Sequence, residues 1–151
     1  MYIFDGAMGT MLQAAGLEEG YCPELFNIER PEVVKDIHAQ YLQHGSDVIT
    51  TNTFGACGLK LEDYDLQDRV REINIAAVKV AKEAIAETKP TARVAGSMGP
   101  TGRFLQPLGN MSFDSIYDTY REQAEALIEG GVDFIIIETI IDVQEMRAAL
   151  L

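Results

Sequence analysis

The chain has 151 residues, enough for one domain with a substantial core, and its 47% apolar and 24% charged content is that of a globular chain rather than a disordered one. Twelve basic against 24 acidic residues leave a net charge of −12, which argues against nucleic acid or an anionic membrane surface as partner. No run reaches the length of a membrane span and no charged-then-apolar leader is present, so a cytoplasmic location is expected.

Met1-Tyr2-Ile3-Phe4 is a short apolar opening that ends in Asp5-Gly6, and Gly6 and Gly9 let the backbone turn tightly toward a ligand. Residues 15–30 read as a loop with a turn or two of helix. Pro31 suits a first helical position, Val33, Val34, Ile37, Tyr41 and Leu42 recur at helical spacing, and Gly45 ends the run. His38 and His44 lie in this stretch six residues apart, do not share a face, and read as surface or capping residues.

Val48-Ile49-Thr50-Thr51-Asn52-Thr53 is a β-branched strand that leaves its sheet in hydroxyls and an amide, followed by a small-residue loop at residues 54–58. A helix is predicted from about Leu66 to Glu87, stopped by Pro90. Arg93–Ser97 is a weaker strand leading into Met98-Gly99-Pro100-Thr101-Gly102, a turn-rich loop without a phosphate-binding fingerprint. Ser112 caps a helix carrying Ile116, Tyr120, Ala124, Leu127 and Ile128, stopped by Gly130-Gly131.

Phe134–Ile137 then reads as a strand buried on both faces, with Glu138 placed where a parallel strand emerges from its sheet. Asp142 and Glu145 stand three apart as a capping box, and Val143, Met146, Ala149 and Leu150 form the inner face of a last helix. Cys22 and Cys57 have no partner spacing and read as free thiols of a reduced compartment.

Strand starts near residues 2, 47, 93 and 133, each feeding a polar loop and a helix, make a βα repeat with a parallel sheet. The two homes for it are an open doubly wound sheet and the (βα)8 barrel. A barrel takes about eight such units; four are present here, the last incomplete in its helix, which would leave two sheet edges uncovered.

Asp5-Gly6-Ala7-Met8-Gly9-Thr10, Thr51-Asn52-Thr53-Phe54, Gly96-Ser97-Met98-Gly99-Pro100 and Ile137-Glu138-Thr139 occur in order at the strand ends. Together they resemble the homocysteine S-methyltransferase domain, a (βα)8 TIM-barrel family, over essentially the whole chain. The subtype most similar is the homocysteine-binding module of cobalamin-dependent methionine synthases. The resemblance implies that residues 1–151 are the N-terminal half of such a barrel domain. It further implies methyl transfer to the homocysteine thiolate, with Asp5, Gly6, Thr51 and Glu138 holding the amino-acid end of the substrate.

Zinc is implied as the thiol-activating metal, held in the family by three cysteines after the sixth and eighth strands. Neither Cys22 nor Cys57 matches them, so the ligands are expected outside this chain. Methylcobalamin is the implied donor, and the remaining half-barrel with cobalamin and folate modules the implied partners. Residues 1–151 alone are expected to be inactive. The alternative is a non-catalytic half-barrel that serves in binding or assembly and pairs with itself.

Overall fold

A computed structural model describes residues 1–151 as a parallel sheet backed by one layer of helices. The elements are α1 (Met8–Ala14), α2 (Phe26–Glu29), α3 (Pro31–Gln43), β1 (Val48–Thr50), α4 (Gly58–Leu61), α5 (Val70–Thr88), β2 (Arg93–Met98), α6 (Phe113–Gly130), β3 (Phe134–Ile137) and α7 (Val143–Leu150). The strands are ordered β1-β2-β3, with Thr50 beside Ala95 and Ser97 beside Ile136. The opening apolar segment adds one parallel bridge, Phe4 to Val48, on the free side of β1. Its residues remain exposed, Tyr2 at 59% and Ile3 at 52%, because nothing covers their outer side.

The sheet is strongly curled. Phe4, on the opening segment bridged to β1, and Phe134, on β3, have β1 and β2 between them, yet their rings meet edge to face with centroids 6.2 Å apart. Three inter-strand steps across a flat sheet would span about 14 Å. Such curvature is what a barrel wall requires.

Helices α3, α5, α6 and α7 pack side by side in chain order. Val34, Ile37 and Leu42 of α3, Ile73, Ala77, Val80, Ala81 and Ala84 of α5, and Ile116, Tyr120 and Leu127 of α6 are all buried, as their 3.6-residue spacing demands. Gly45 and Gly131 follow α3 and α6 with φ of 110° and 87°, the left-handed conformation that ends a helix. Ser112 caps α6, accepting from the Ser115 N–H at 3.1 Å.

Several expectations are corrected. Phe134–Ile137 is only half-buried, because β3 has β2 as its one neighbour and its other edge is open. His38 is not a surface residue: it is fully buried in α3, and neither ring nitrogen has a partner. Asp142 does cap α7, accepting from the Gln144 N–H at 2.7 Å, but Glu145 does not complete a capping box. It turns inward and is 3% exposed. The inner face of α7 is therefore Glu145 and Ala148, with Ala149 half-buried against the core and Met146 half-buried, while Val143 and Leu150 stand in solvent. Ile128 also faces out, at 63% exposure. Helices α1 and α4 lead on from the turn at residues 6–9 and the loop at residues 54–58, in stretches for which the sequence predicts no helix, and α5 begins at Val70, not about Leu66, after a 3-10 turn at Gln67–Arg69.

Candidate functional site

Because the strands are parallel, their carboxyl ends emerge on one side, the ligand-binding edge of α/β folds. A pocket of about 190 Å³ opens there, lined by Gly6, Ala7, Met8, Gly9, Thr50, Thr51, Asn52, Phe54, Ser97 and Glu138. Every βα unit contributes. A larger groove of about 450 Å³ lies between α1 and α3, away from the strand ends.

Asp5 leaves the first strand and is fixed at once: the Thr50 N–H donates to its Oδ2 at 2.8 Å and the Thr50 hydroxyl to its Oδ1 at 3.1 Å. Burial pushes the Asp5 carboxyl up to about 6 against the pull of these Thr50 bonds, and the charge of Glu138 adds to the rise. Two carboxylates thus face one another's field at the pocket.

Gly6 follows under Tyr41, whose hydroxyl donates to the Ala7 carbonyl at 2.9 Å. A Cβ on Gly6 would stand 3.0 Å from the Tyr41 ring, so a side chain here forces the ring to move. The N–H groups of Gly6, Ala7 and Asn52 make no hydrogen bond within the chain and are free to donate to an anion.

Thr51 is in the lining, but its hydroxyl is committed. The Thr53 hydroxyl donates to the Ser97 carbonyl at 2.7 Å, so the 2.6 Å contact between the two threonine hydroxyls must be donated by Thr51. Thr51 Oγ1 in turn accepts from the Ser97 N–H at 3.1 Å. The result is a closed ring: Ser97 N–H to Thr51, Thr51 to Thr53, Thr53 to Ser97 C=O. It pins the end of β1 to the end of β2 and leaves Thr51 no proton for a ligand.

Glu138 follows β3, its N–H bonded to the Met98 carbonyl at 3.0 Å and its Oε1 accepting from the Ser97 hydroxyl at 2.7 Å. The next residue, Thr139, has φ of 62°, uncommon for a β-branched residue and a sharp turn straight after the carboxylate. The four candidates from the sequence accordingly gather at one pocket rim, Gly6, Thr51 and Glu138 in its lining and Asp5 just behind.

What the sequence reading missed is the frame around them. The Asn27 amide donates to the Asn52 carbonyl and the Asn52 amide to the Pro23 carbonyl, both at 2.8 Å. Gln123 donates to the Thr53 carbonyl at 2.8 Å, Asn74 to the Ala56 carbonyl at 2.9 Å, and Glu24 Oε1 accepts from the Gly55 N–H at 2.7 Å. The signal was available for two of these: Asn74 and Gln123 sit in the apolar stripes of α5 and α6, where a polar residue must have a partner. Gly99 has a packing reason as well, since its Cβ would fall 2.7 Å from the Phe54 carbonyl oxygen.

Neither cysteine fits a metal. Burial pushes the Cys22 thiol up to about 12 and Cys57 up to about 11, so both resist becoming thiolates, and Cys22 donates to Glu24 at 3.3 Å. No three His, Cys, Asp or Glu side chains stand together in an arrangement that could hold a metal ion. No helix is long and apolar enough to cross a membrane.

Residues 2–151 match the family described as homocysteine S-methyltransferase. Methionine synthase of Mycobacterium tuberculosis (strain ATCC 25618 / H37Rv) is 41% identical over 157 residues, which cover 97% of this chain and 13% of that protein. Methionine synthase of Mycobacterium leprae (strain TN) is 39% identical with the same coverage. The oxidised form of the homocysteine methyltransferase MmuM from Escherichia coli superposes with a TM-score of 0.82 at 26% identity, over 98% of this chain and 56% of that one. Its metallated form gives 0.81 at 26% identity, over 97% and 57%. The chain thus spans a small part of the methionine synthases and little more than half of MmuM. With the family matched over almost every residue and the fold superposing on a homocysteine methyltransferase of TIM-barrel type, the chain belongs to the homocysteine S-methyltransferase family.

Proposed function

We propose that residues 1–151 form the N-terminal half of a homocysteine-binding barrel and carry the part of its site that grips the amino-acid end of homocysteine. The observation that carries this reading is the strand-end pocket that has the Glu138 carboxylate in its lining together with Gly6, Ala7 and Asn52, whose N–H groups are unbonded: an acid for the ammonium and donors for the carboxylate. Glu138 meets the ammonium directly and Asp5 supplies its field from behind. The free N–H groups of Gly6, Ala7 and Asn52 receive the α-carboxylate. Thr51 contributes as a wall and as the clamp on Ser97, with no hydroxyl proton of its own to give.

In this reading the reaction of the longer enzyme is methyl transfer to the homocysteine thiolate, giving methionine, in line with the methionine synthases among the relatives, with methylcobalamin the donor that the resemblance of the motifs implies. A metal would activate the thiol, zinc by the resemblance of the motifs, and MmuM too has a metallated form. Cys22 and Cys57 stand in no cluster of three potential ligands, so the reading puts the metal's ligands in units outside residues 1–151 and gives this chain's residues the binding of substrate alone. Calorimetry with L-homocysteine tests the reading: the wild-type chain binds, and Glu138→Gln and Asp5→Asn each weaken binding about tenfold, the worth of one charge-assisted contact. Undiminished binding by Glu138→Gln overturns it.

A further inference from the structure

We infer that Ser97 is a positioning residue for the ammonium-binding carboxylate, setting the direction in which Glu138 faces its ligand. The inference rests on the reading of Glu138 as the ammonium partner and adds to it a residue that touches no substrate atom.

Ser97 is 3% exposed, and all three of its hydrogen-bonding groups are placed. Its N–H and C=O are the two ends of the threonine ring, given to Thr51 at 3.1 Å and taken from Thr53 at 2.7 Å, and Gln123 of α6 stands 3.5 Å from the same carbonyl. The peptide groups on both sides of its Cα are therefore held, and with them the direction of its side chain. That side chain has one proton to give, and it goes to Glu138 Oε1 at 2.7 Å. A carboxylate has two oxygens; once Oε1 is taken by a buried donor, Oε2 is the one left for a cation from the pocket.

Without this bond Glu138 is tethered only by its backbone. It follows an edge strand with one neighbour, and the turn at Thr139 leads straight into an exposed segment. A glutamate on such a support has three rotatable side-chain bonds to order when a ligand arrives. The Ser97 hydroxyl orders them beforehand, and Ser97 belongs to β2, the central strand, whose register is fixed from both sides.

The test compares L-homocysteine with 4-mercaptobutanoate, which lacks only the amino group, on the wild-type chain, Ser97→Ala, Ser97→Thr and Glu138→Gln, with melting curves to show that each is folded. The readout is the ratio of the two affinities, which a general loosening of the pocket does not change. Wild type should prefer homocysteine about tenfold or more. Ser97→Ala and Glu138→Gln should both collapse the ratio, the double variant should fall no further than Glu138→Gln alone, and Ser97→Thr, which keeps the hydroxyl, should restore most of the preference. If Glu138→Gln collapses the ratio and Ser97→Ala does not, the role of Ser97 is overturned while the ammonium reading stands. If wild type shows no preference, both fall together.

Discussion

Glu145, in the first turn of α7, accepts from both the N–H and the hydroxyl of Thr101, at 2.8 and 2.6 Å, and through the same oxygen from the Tyr120 hydroxyl at 3.1 Å. A capping-box acid by sequence is thus the anchor of the loop that follows β2. Burial and the neighbouring Glu145 charge push the Tyr120 phenol well above its usual value, so it stays a donor.

Removing that acceptor leaves the buried Thr101 N–H and hydroxyl facing nothing, while the Tyr120 hydroxyl keeps the Gly99 carbonyl at 3.0 Å. Glu145→Ala is expected to cost about 2–4 kcal/mol of unfolding free energy in urea melts, while Glu145→Gln, which retains an acceptor oxygen, costs about half as much. Equal losses for the two would show that packing rather than hydrogen bonding dominates at this position.

Asp5 and His38 pull acid stability in opposite directions. Burial holds the His38 imidazole down to about 4 from 6.5, so the unfolded chain takes up its proton first; the stability due to neutral His38 is full above pH 6.5 and is lost as pH falls toward 4. Asp5 is raised from 3.8 to about 6, so the folded chain keeps a proton that the unfolded chain has released; that advantage is full below pH 3.8 and is lost as pH rises through 6. Each contribution is at most about 3 kcal/mol, and between pH 6 and 4 they offset. His38→Leu should therefore gain stability on acidification across this window, and Asp5→Asn should lose it. Urea titrations at pH 6 and 4.5 check both signs, and parallel behaviour of the two variants would refute the pairing.

Thr139 holds a left-handed backbone with a β-branched side chain exposed to solvent. Thr139→Gly relieves that strain and is expected to raise stability by up to about 1 kcal/mol. It also frees the peptide after Glu138, so homocysteine binding should weaken. A variant that is less stable and binds normally would mean the turn is held by contacts of the threonine itself.

Gly99→Ala places a methyl carbon against the Phe54 carbonyl and ring. Because Phe54 lines the pocket, the expected result is a several-fold loss of amino-acid affinity with a stability loss of about 1–3 kcal/mol, the usual range for overpacking. Calorimetry and thermal melts of the one variant supply both numbers.

The order of strands and helices was legible because hydrophobic periodicity is a local signal: Val33 to Leu42 and the α6 stripe through Ile116, Tyr120 and Leu127 repeat every 3.6 residues whatever surrounds them. Gly6, Thr51 and Glu138, singled out by the resemblance of their motifs, do line one pocket, because each motif sits at the end of its strand. Glu145 and His38 were misread because their status depends on Thr101, Tyr120 and the packing of α3, partners that no spacing rule names. β3 was overestimated as a buried strand, since its isoleucines report how apolar it is and not how many neighbours it has. The role of Ser97 was invisible for the same reason. Its meaning lies in the direction of four protons, and that needs coordinates.

The meeting of Phe4 and Phe134 has a consequence for how the protein comes to be able to bind at all. These rings join the opening segment to β3, and the pocket at the strands' carboxyl ends draws on every unit between, so the loop that closes it is nearly the whole chain. Contacts this distant in sequence, made through parallel strands that need full crossovers, are the slow kind to form. Helices α3, α5 and α6 can form long before Asp5 and Glu138 face each other. Binding competence is then the last property acquired on folding and the first surrendered when either outer strand frays.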